Sequence, residues 1–293
     1  MWIGAHVPTR GGLWGAIESA RACGADAAQI WGSNPRAWAT PHVPPEDARR
    51  FGRSWRAEGL GPLFLHAPYM VNVASPDPGF RRRSVHLARA TLALAEAIGA
   101  AGVVVHAGSA GPGTTRAVGV ERAASSLVAI ADEAERCWVL VELTAGTAGS
   151  VAATFPEAQE LFEVAEMHRR LALCADTCHL FGAGYGLDTA GGVDACFADL
   201  RRSGLARRLR LIHANDSRYP RGSHRDGHTH IGQGLIGEAG FRAILAQPAV
   251  RRCAVVCETP GRLEDHARNI AVLRRLAEPS GSGKAVSSGR RPR

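Results

Sequence analysis

Six apolar runs in this chain each end on a histidine or a carboxylate, and no other feature limits its fold as much. The runs are Pro62–His66, Gly102–His106, Trp138–Glu142, Leu171–Asp176, Leu209–His213 and Ala254–Glu258. Their last residues are 40, 36, 34, 37 and 45 positions apart, each close to one strand, one helix and two loops. Trp2–Ala5 and Ala27–Trp31 supply two further strand candidates. Between the runs the period changes to helical. Over Arg81–Gly99 the residues Val85, Leu87, Ala88, Leu92, Leu94, Ala95 and Ile98 form one broad apolar face. Arg116–Arg136, Phe155–His168, Phe241–Gln247 and Leu263–Leu276 behave alike, and helices are expected near 13–23 and 46–58. Strands that alternate with helices require a parallel sheet under helical cover, and about eight such units predict an α/β (β/α)8 TIM barrel. An open doubly wound sheet is the rival, but no G-x-G-x-x-G follows a strand.

The 293 residues suit one barrel, expected over residues 1–278. The net charge is +8, and four of the basic residues lie in a Ser/Gly/Pro-rich segment, 279–293, that has no acidic residue and reads as a disordered basic tail. The remaining mild positive balance suits a polyanionic partner. No apolar run is long enough to span a membrane. A strand beginning at Trp2 leaves no room for a secretion leader. Seven cysteines, an odd number, point to a reducing compartment, and the expected location is the cytoplasm.

In a barrel all strand C-termini open onto one face. One histidine or glutamate at a strand end is ordinarily a capping or solvated residue. Six in register would repel one another or stay unsatisfied unless a cation joined them. Two clusters extend the set: His179, three residues after Asp176, and the Asp226-Gly-His228 element in a long polar stretch, Asn215–Gly237. His66, His106, Glu142, Asp176, His179, His213, Asp226, His228 and Glu258 give nine ligands, enough for three Zn²⁺ ions, with Mn²⁺ as a partial substitute. Three dications carry six positive charges against four carboxylates, which leaves room for a hydroxide and a phosphodiester. Such a site performs in-line phosphoryl displacement.

With these residues in view, the chain resembles the endonuclease IV family of zinc-dependent apurinic/apyrimidinic endonucleases. The resemblance runs from Gly4-Ala-His-Val7 to Glu258-Thr259. Its most specific segments are His66-Ala-Pro-Tyr-Met-Val-Asn72, Asp176-Thr-Cys-His179, His213-Ala-Asn-Asp216 and Asp226-x-His228 followed by Ile231-Gly-Gln-Gly234. It implies that His66, His106 and Glu142 hold the first zinc. Glu142 bridges to a second, completed by Asp176, His213 and Glu258, and His179, Asp226 and His228 hold the third. It implies cleavage of double-stranded DNA 5′ to abasic sites by a metal-bound hydroxide, oriented by Glu142 and Glu258, leaving a 3′-hydroxyl and a 5′-deoxyribose phosphate. Arg36 and the Tyr69-Met70 pair become the probes that enter the duplex where the damaged nucleotide is extruded. The chain departs from the family pattern at Ala107, Leu143, the Gly146-Thr-Ala-Gly149 turn and Gly227.

Two rival functions share this barrel. A divalent-metal sugar isomerase or epimerase would use similar strand ends, often with a lysine near the metal, yet the only lysine is Lys284. A catalytically dead binder of damaged DNA would not need an intact ligand set. Among the other candidates, His6 either supports the site from behind the ligands or is simply a buried histidine with its hydrogen bonds satisfied. His42, His86, His168 and His266 are expected at the surface. His224 and His230 are candidate phosphate contacts, and Trp38 is expected to pack. A monomer is expected.

Overall fold

Eight parallel strands close into a ring in the order β1-β10-β7-β6-β5-β4-β3-β2, with β2 pairing back to β1, in a computed structural model that describes residues 1–278. The strands are β1 (Trp2–His6), β2 (Ala27–Trp31), β3 (Leu63–His66), β4 (Gly102–His106), β5 (Trp138–Glu142), β6 (Leu171–Asp176), β7 (Leu209–His213) and β10 (Ala254–Cys257). Two short strands, β8 (Asp216–Ser217) and β9 (His228–Thr229), pair antiparallel inside the long loop after β7. The helices are α1 (Trp14–Ala22), α2 (Pro45–Ala57), α3 (Pro78–Ile98), α4 (Arg116–Ala131), α5 (Phe155–Val164), α6 (Thr177–Gly182), α7 (Ala190–Arg202), α8 (Gly237–Ala246) and α9 (Leu263–Ala277). The expected TIM barrel is the observed fold. The segment read as a basic tail lies outside the described residues. Among those described, no helix is long and apolar enough to cross a membrane.

Strand alternation divides the core into two. Phe64, Val104, Leu140, Ala172, Leu211 and Val256 point inward and fill the barrel, while a larger cluster fills the space between sheet and helices. The apolar plug occupies the lower barrel. The polar strand ends, in register above it, therefore face a mouth rather than a packed interior: His106 is opposite Glu142, and Asp176 is opposite His213.

Local signals explain most element boundaries. The Asp77 side chain accepts the Phe80 N–H, and Pro78 occupies the first turn of α3, so this helix starts before the expected Arg81. It stops at Gly99, which adopts φ 72° where a side chain would be strained. A Thr154/Glu157 capping box starts α5. The helix ends at Val164 rather than His168 because Glu166 and Met167 turn left-handed. Sequence periodicity misses α6 and α7 and begins α8 four residues late. In α7 the buried Val193, Cys196, Phe197 and Leu200 follow helical spacing, but two glycines in its first turn, capped by Thr189, mask the signal. His266 departs from the surface position expected of it. It lies one turn into α9, buried, against the cavity at the barrel mouth.

Candidate active site

Seven of the nine predicted ligand residues line the cavity at that mouth, and Asp176 and His213 lie buried among them; the first to consider is Glu142 at the end of β5. Its carboxylate is 1% exposed and is surrounded by imidazoles: His66 Nε2 at 3.1 Å, His106 Nε2 at 3.3 Å, His179 Nδ1 at 3.3 Å and His213 Nδ1 at 3.1 Å. Burial opposes ionisation of Glu142, but His213 and His106 outweigh it and hold the carboxyl well below the usual range. Glu258, just beyond β10, is placed by its own backbone N–H, which donates to Asn215 Oδ1 at 2.7 Å. There too burial opposes ionisation, and the His213 imidazole foremost outweighs it, holding the carboxyl below the usual range.

Asp176 does two jobs at once. One carboxylate oxygen caps α6 by accepting the His179 N–H at 3.0 Å, which turns His179 back over the mouth three residues later. The other accepts the Asn215 amide N–H at 2.6 Å and faces His228 Nε2 at 3.5 Å. The D-T-C-H spacing therefore follows from helix capping: the cap and the residue at the third helical position face the same cavity.

Asp226 and His228 arrive on the loop between β7 and α8, whose shape is set by Asp216. Its buried carboxylate accepts backbone N–H groups from Ser217 and Ile236 on one oxygen and from Gly232 and Gly234 on the other, all within 3.0 Å. Sequence reading quotes Asn215 and Asp216 only as motif members. Their roles depend on partners up to 43 residues away, and no local spacing announces them. Gly227 is required by packing, because a Cβ there would lie 2.4 Å from the Tyr219 ring. Arg225, two residues earlier, stacks over that ring at 3.7 Å. Asp216→Ala would strand four backbone donors, those of Ser217 and Ile236 fully buried. It is expected to cost about 3 kcal/mol or more in urea unfolding and to open Arg221 and Arg225 to limited trypsin cleavage. Unchanged stability and protection would show that the loop is held by other contacts.

The nine residues fall into three groups, each with ligand atoms within 4.8 Å of one another: His66/His106/Glu142, Glu142/Asp176/His213/Glu258 and His179/Asp226/His228, the first two joined by Glu142. Imidazole proton positions show that the groups fit a cation. His66 Nδ1 donates to the Ala67 carbonyl at 2.6 Å, and His179 Nδ1 donates to the Leu143 carbonyl at 2.9 Å. His66 therefore turns its other nitrogen to Glu142, and His179 turns its other nitrogen to Asp226 at 3.4 Å. His228 Nε2 is buried and has no hydrogen-bond partner among the described residues, although Asp226 Oδ1 is 3.1 Å away. Lone pairs aimed at carboxylate oxygens in a buried site are the signature of a missing cation. With no cation, protons take its place. Burial opposes charging of His228, but Asp176 and Asp226 raise it to about 9. His179 is raised well above its usual value by Asp176 and Asp226 against the same opposition from burial.

The cavity of about 390 Å³ is also lined, beside His66 and Glu258, by His6, Trp31 and Tyr69. Trp31 bridges them, with ring centroids 4.7 Å from His6 and 4.7 Å from Tyr69. Tyr69 is 62% exposed at the rim and Met70 is half-buried beside it. The Tyr69 N–H donates to the Pro35 carbonyl at 3.2 Å, which joins the Tyr69 loop to the one carrying the exposed Arg36. The three expected DNA probes thus sit on two linked loops beside the mouth. Trp38 packs edge-on against Phe80, as expected. His42 and His86 are exposed, and half-buried His168 pairs with Asp132. His230 contacts Asn269, and the His224 N–H donates to the Gly182 carbonyl.

Residues 17–276 match the family model described as a xylose isomerase-like TIM barrel. The chain is 39% identical over 280 residues to the "Probable endonuclease 4" of Streptomyces coelicolor, covering 94% of this chain and 95% of that one. It is 37% identical to the protein of the same name from Methanoculleus marisnigri, covering 94% and 98%. Among solved structures it is similar to endonuclease IV from Thermus thermophilus, with a TM-score of 0.83 and 32% identity over 94% of this chain and 98% of that one. A D-tagatose 3-epimerase-like protein aligns with a TM-score of 0.71 at 19% identity, over 94% and 97%, and shares the fold alone.

Proposed function

We propose that this chain, which belongs to the endonuclease IV family of xylose isomerase-like TIM barrels, hydrolyses the DNA phosphodiester 5′ to abasic sites at a site holding three zinc ions. The observation that carries the reading is the convergence of nine dispersed side chains into three adjacent ligand groups, two of which share Glu142. Mixed imidazole and carboxylate donors suit zinc, with manganese as a partial substitute. His66, His106 and Glu142 hold one ion, Glu142, Asp176, His213 and Glu258 the second, and His179, Asp226 and His228 the third. Bound there, zinc supplies positive charge that offsets the carboxylates and draws in a phosphodiester, and it lowers the pKa of water at the site.

The chain's own residues do the rest. Glu142 and Glu258 are held ionised against burial and orient the attacking water by accepting its hydrogen bonds. Trp31 and the His6 ring line the cavity and limit what the extruded nucleotide can bring with it. Tyr69, Met70 and Arg36 fill the gap in the duplex that extrusion leaves. All nine ligands come from one chain, so the site is complete in a monomer. The sugar-epimerase alternative lacks a lysine in the barrel and finds support only in a shared fold.

The test is a duplex with one abasic site and labelled ends. A single nick 5′ to the lesion, with a 3′ end that a polymerase extends, is expected. No nick, or an unsaturated aldehyde at the 3′ end from β-elimination, would overturn the proposal. Tyr69→Ala is expected to lower kcat/KM roughly 10–100-fold, from a stacking contribution of about 1–3 kcal/mol. Arg36→Ala should reduce the salt dependence of DNA affinity by about one phosphate contact. Equal salt slopes for wild type and Arg36→Ala would remove Arg36 from the interface.

A further inference from the structure

Gln29 belongs to none of the ligand groups, yet it touches three residues at their edge. It lies on β2, opposite His6 of β1 in the sheet register, and its side chain is fully buried inside the barrel. Its amide oxygen lies 2.9 Å from His213 Nε2. Its amide nitrogen lies 2.5 Å from Glu258 Oε1 and 3.0 Å from His6 Nδ1. A primary amide has one oxygen that accepts and two hydrogens that donate. Turning it over would put the amide oxygen against an ionised carboxylate, so the orientation is dictated by Glu258.

We infer that Gln29 is a positioning residue: it holds a proton on Nε2 of both His213 and His6 and fixes Glu258 between them. The inference rests on the metal site proposed above. Because His213 Nε2–H donates to Gln29, its Nδ1 is the nitrogen left to ligate. That nitrogen faces Glu142 Oε1 at 3.1 Å and Glu258 Oε2 at 3.2 Å. His6 Nδ1 lies 3.0 Å from the Gln29 amide nitrogen and 3.3 Å from Glu258 Oε1; accepting the shorter bond from Gln29 leaves its hydrogen on Nε2, a buried atom with no partner among the described residues on a ring that lines the cavity. One amide therefore presents a lone pair to the metal group at His213 and an N–H to the substrate cavity at His6. Support of this kind from a neighbour behind the ligand typically changes metal affinity about 10–100-fold.

A buried glutamine that merely satisfied its own hydrogen bonds would leave proton positions and metal binding unchanged when replaced by an apolar residue of similar volume. The experiment combines heteronuclear imidazole NMR of the zinc-loaded wild type with zinc competition titrations of wild type and Gln29→Met. In the wild type, His213 and His6 should each be protonated at Nε2, with the His213 proton protected from exchange. In Gln29→Met, one of three zincs should bind about 10–100-fold more weakly, the other two unchanged, and His213 protection should be lost. His213 protonated at Nδ1 in the wild type overturns the inference without any variant. So does a folded Gln29→Met protein with wild-type zinc affinities. A wild type that takes up no zinc at all overturns the metal reading itself.

Discussion

Glu142→Gln is expected to lower abasic-site nicking by about 10³-fold or more and to reduce bound zinc from three per chain to about one, while leaving the barrel folded. The size of the effect follows from position. Glu142 is the only residue shared by the first two ligand groups, and four imidazoles lie within 3.3 Å of its oxygens. The amide is isosteric but neutral, and it presents N–H groups where a cation requires lone pairs. Losing charge stabilisation at a water-excluded centre costs several kcal/mol of transition-state binding, and each 1.36 kcal/mol is tenfold. His179, Asp226 and His228 do not depend on Glu142 for their own grouping and should retain their ion. Nicking assays with elemental analysis decide the matter. A variant with wild-type nicking and three zincs would remove Glu142 from the chemistry.

Chelation is the second large effect, and pH controls its size. Removing zinc should abolish nicking and lower the melting temperature by about 8–16 °C. A ligand at a thousand times its Kd contributes about 4 kcal/mol, and a domain of this size shifts about 2–4 °C per kcal/mol. In the metal-free protein the raised histidines and depressed carboxylates stabilise each other as ion pairs. The contribution of His228, raised from 6.5 to about 9, is complete below pH 6.5 and is lost as pH rises through about 9. The contributions of Glu142 and Glu258, depressed from 4.5, are present above about pH 4.5 and are lost as pH falls. The metal-free chain should therefore be most stable between about pH 4.5 and 6.5. Zinc binding has the opposite trend, because it must displace those protons and strengthens up to about pH 9. The melting-temperature gap between loaded and metal-free protein should widen from pH 6 to pH 9. A gap that is constant or narrows would mean that zinc does not compete with these protons.

Position in the sequence announces the barrel ligands. An apolar run ending in one polar residue, repeated at intervals of one βα unit, has few physical readings other than strand ends around a common mouth. His179 and the Asp226/His228 element are also legible from spacing, because one is tied to Asp176 by a helix cap and the other is compact. The residues that escape sequence reading lack such signals. Gln29 sits mid-strand between apolar neighbours, and only closure of the barrel brings its side chain against His213 and Glu258. Asn215 and Asp216 look like loop residues, yet they anchor Glu258 and the loop that carries His228. His266 looks solvated because α9 gives no sign of which turn abuts the mouth.

The repeating strand–helix rhythm, the ring of polar strand ends and the candidate donor residues were already legible along the chain. These depend on periods of two and 3.6 residues and on local capping, which neighbours along the chain decide. Folding in three dimensions set which candidate donors lie together, which nitrogen each imidazole turns toward its neighbours and which buried groups hold them in place. Closure of the sheet brings Gln29 against His213, 184 residues away, and Glu142 against four histidines. Hydrogen-bond partners across such distances are selected by packing, and packing leaves no period in the sequence.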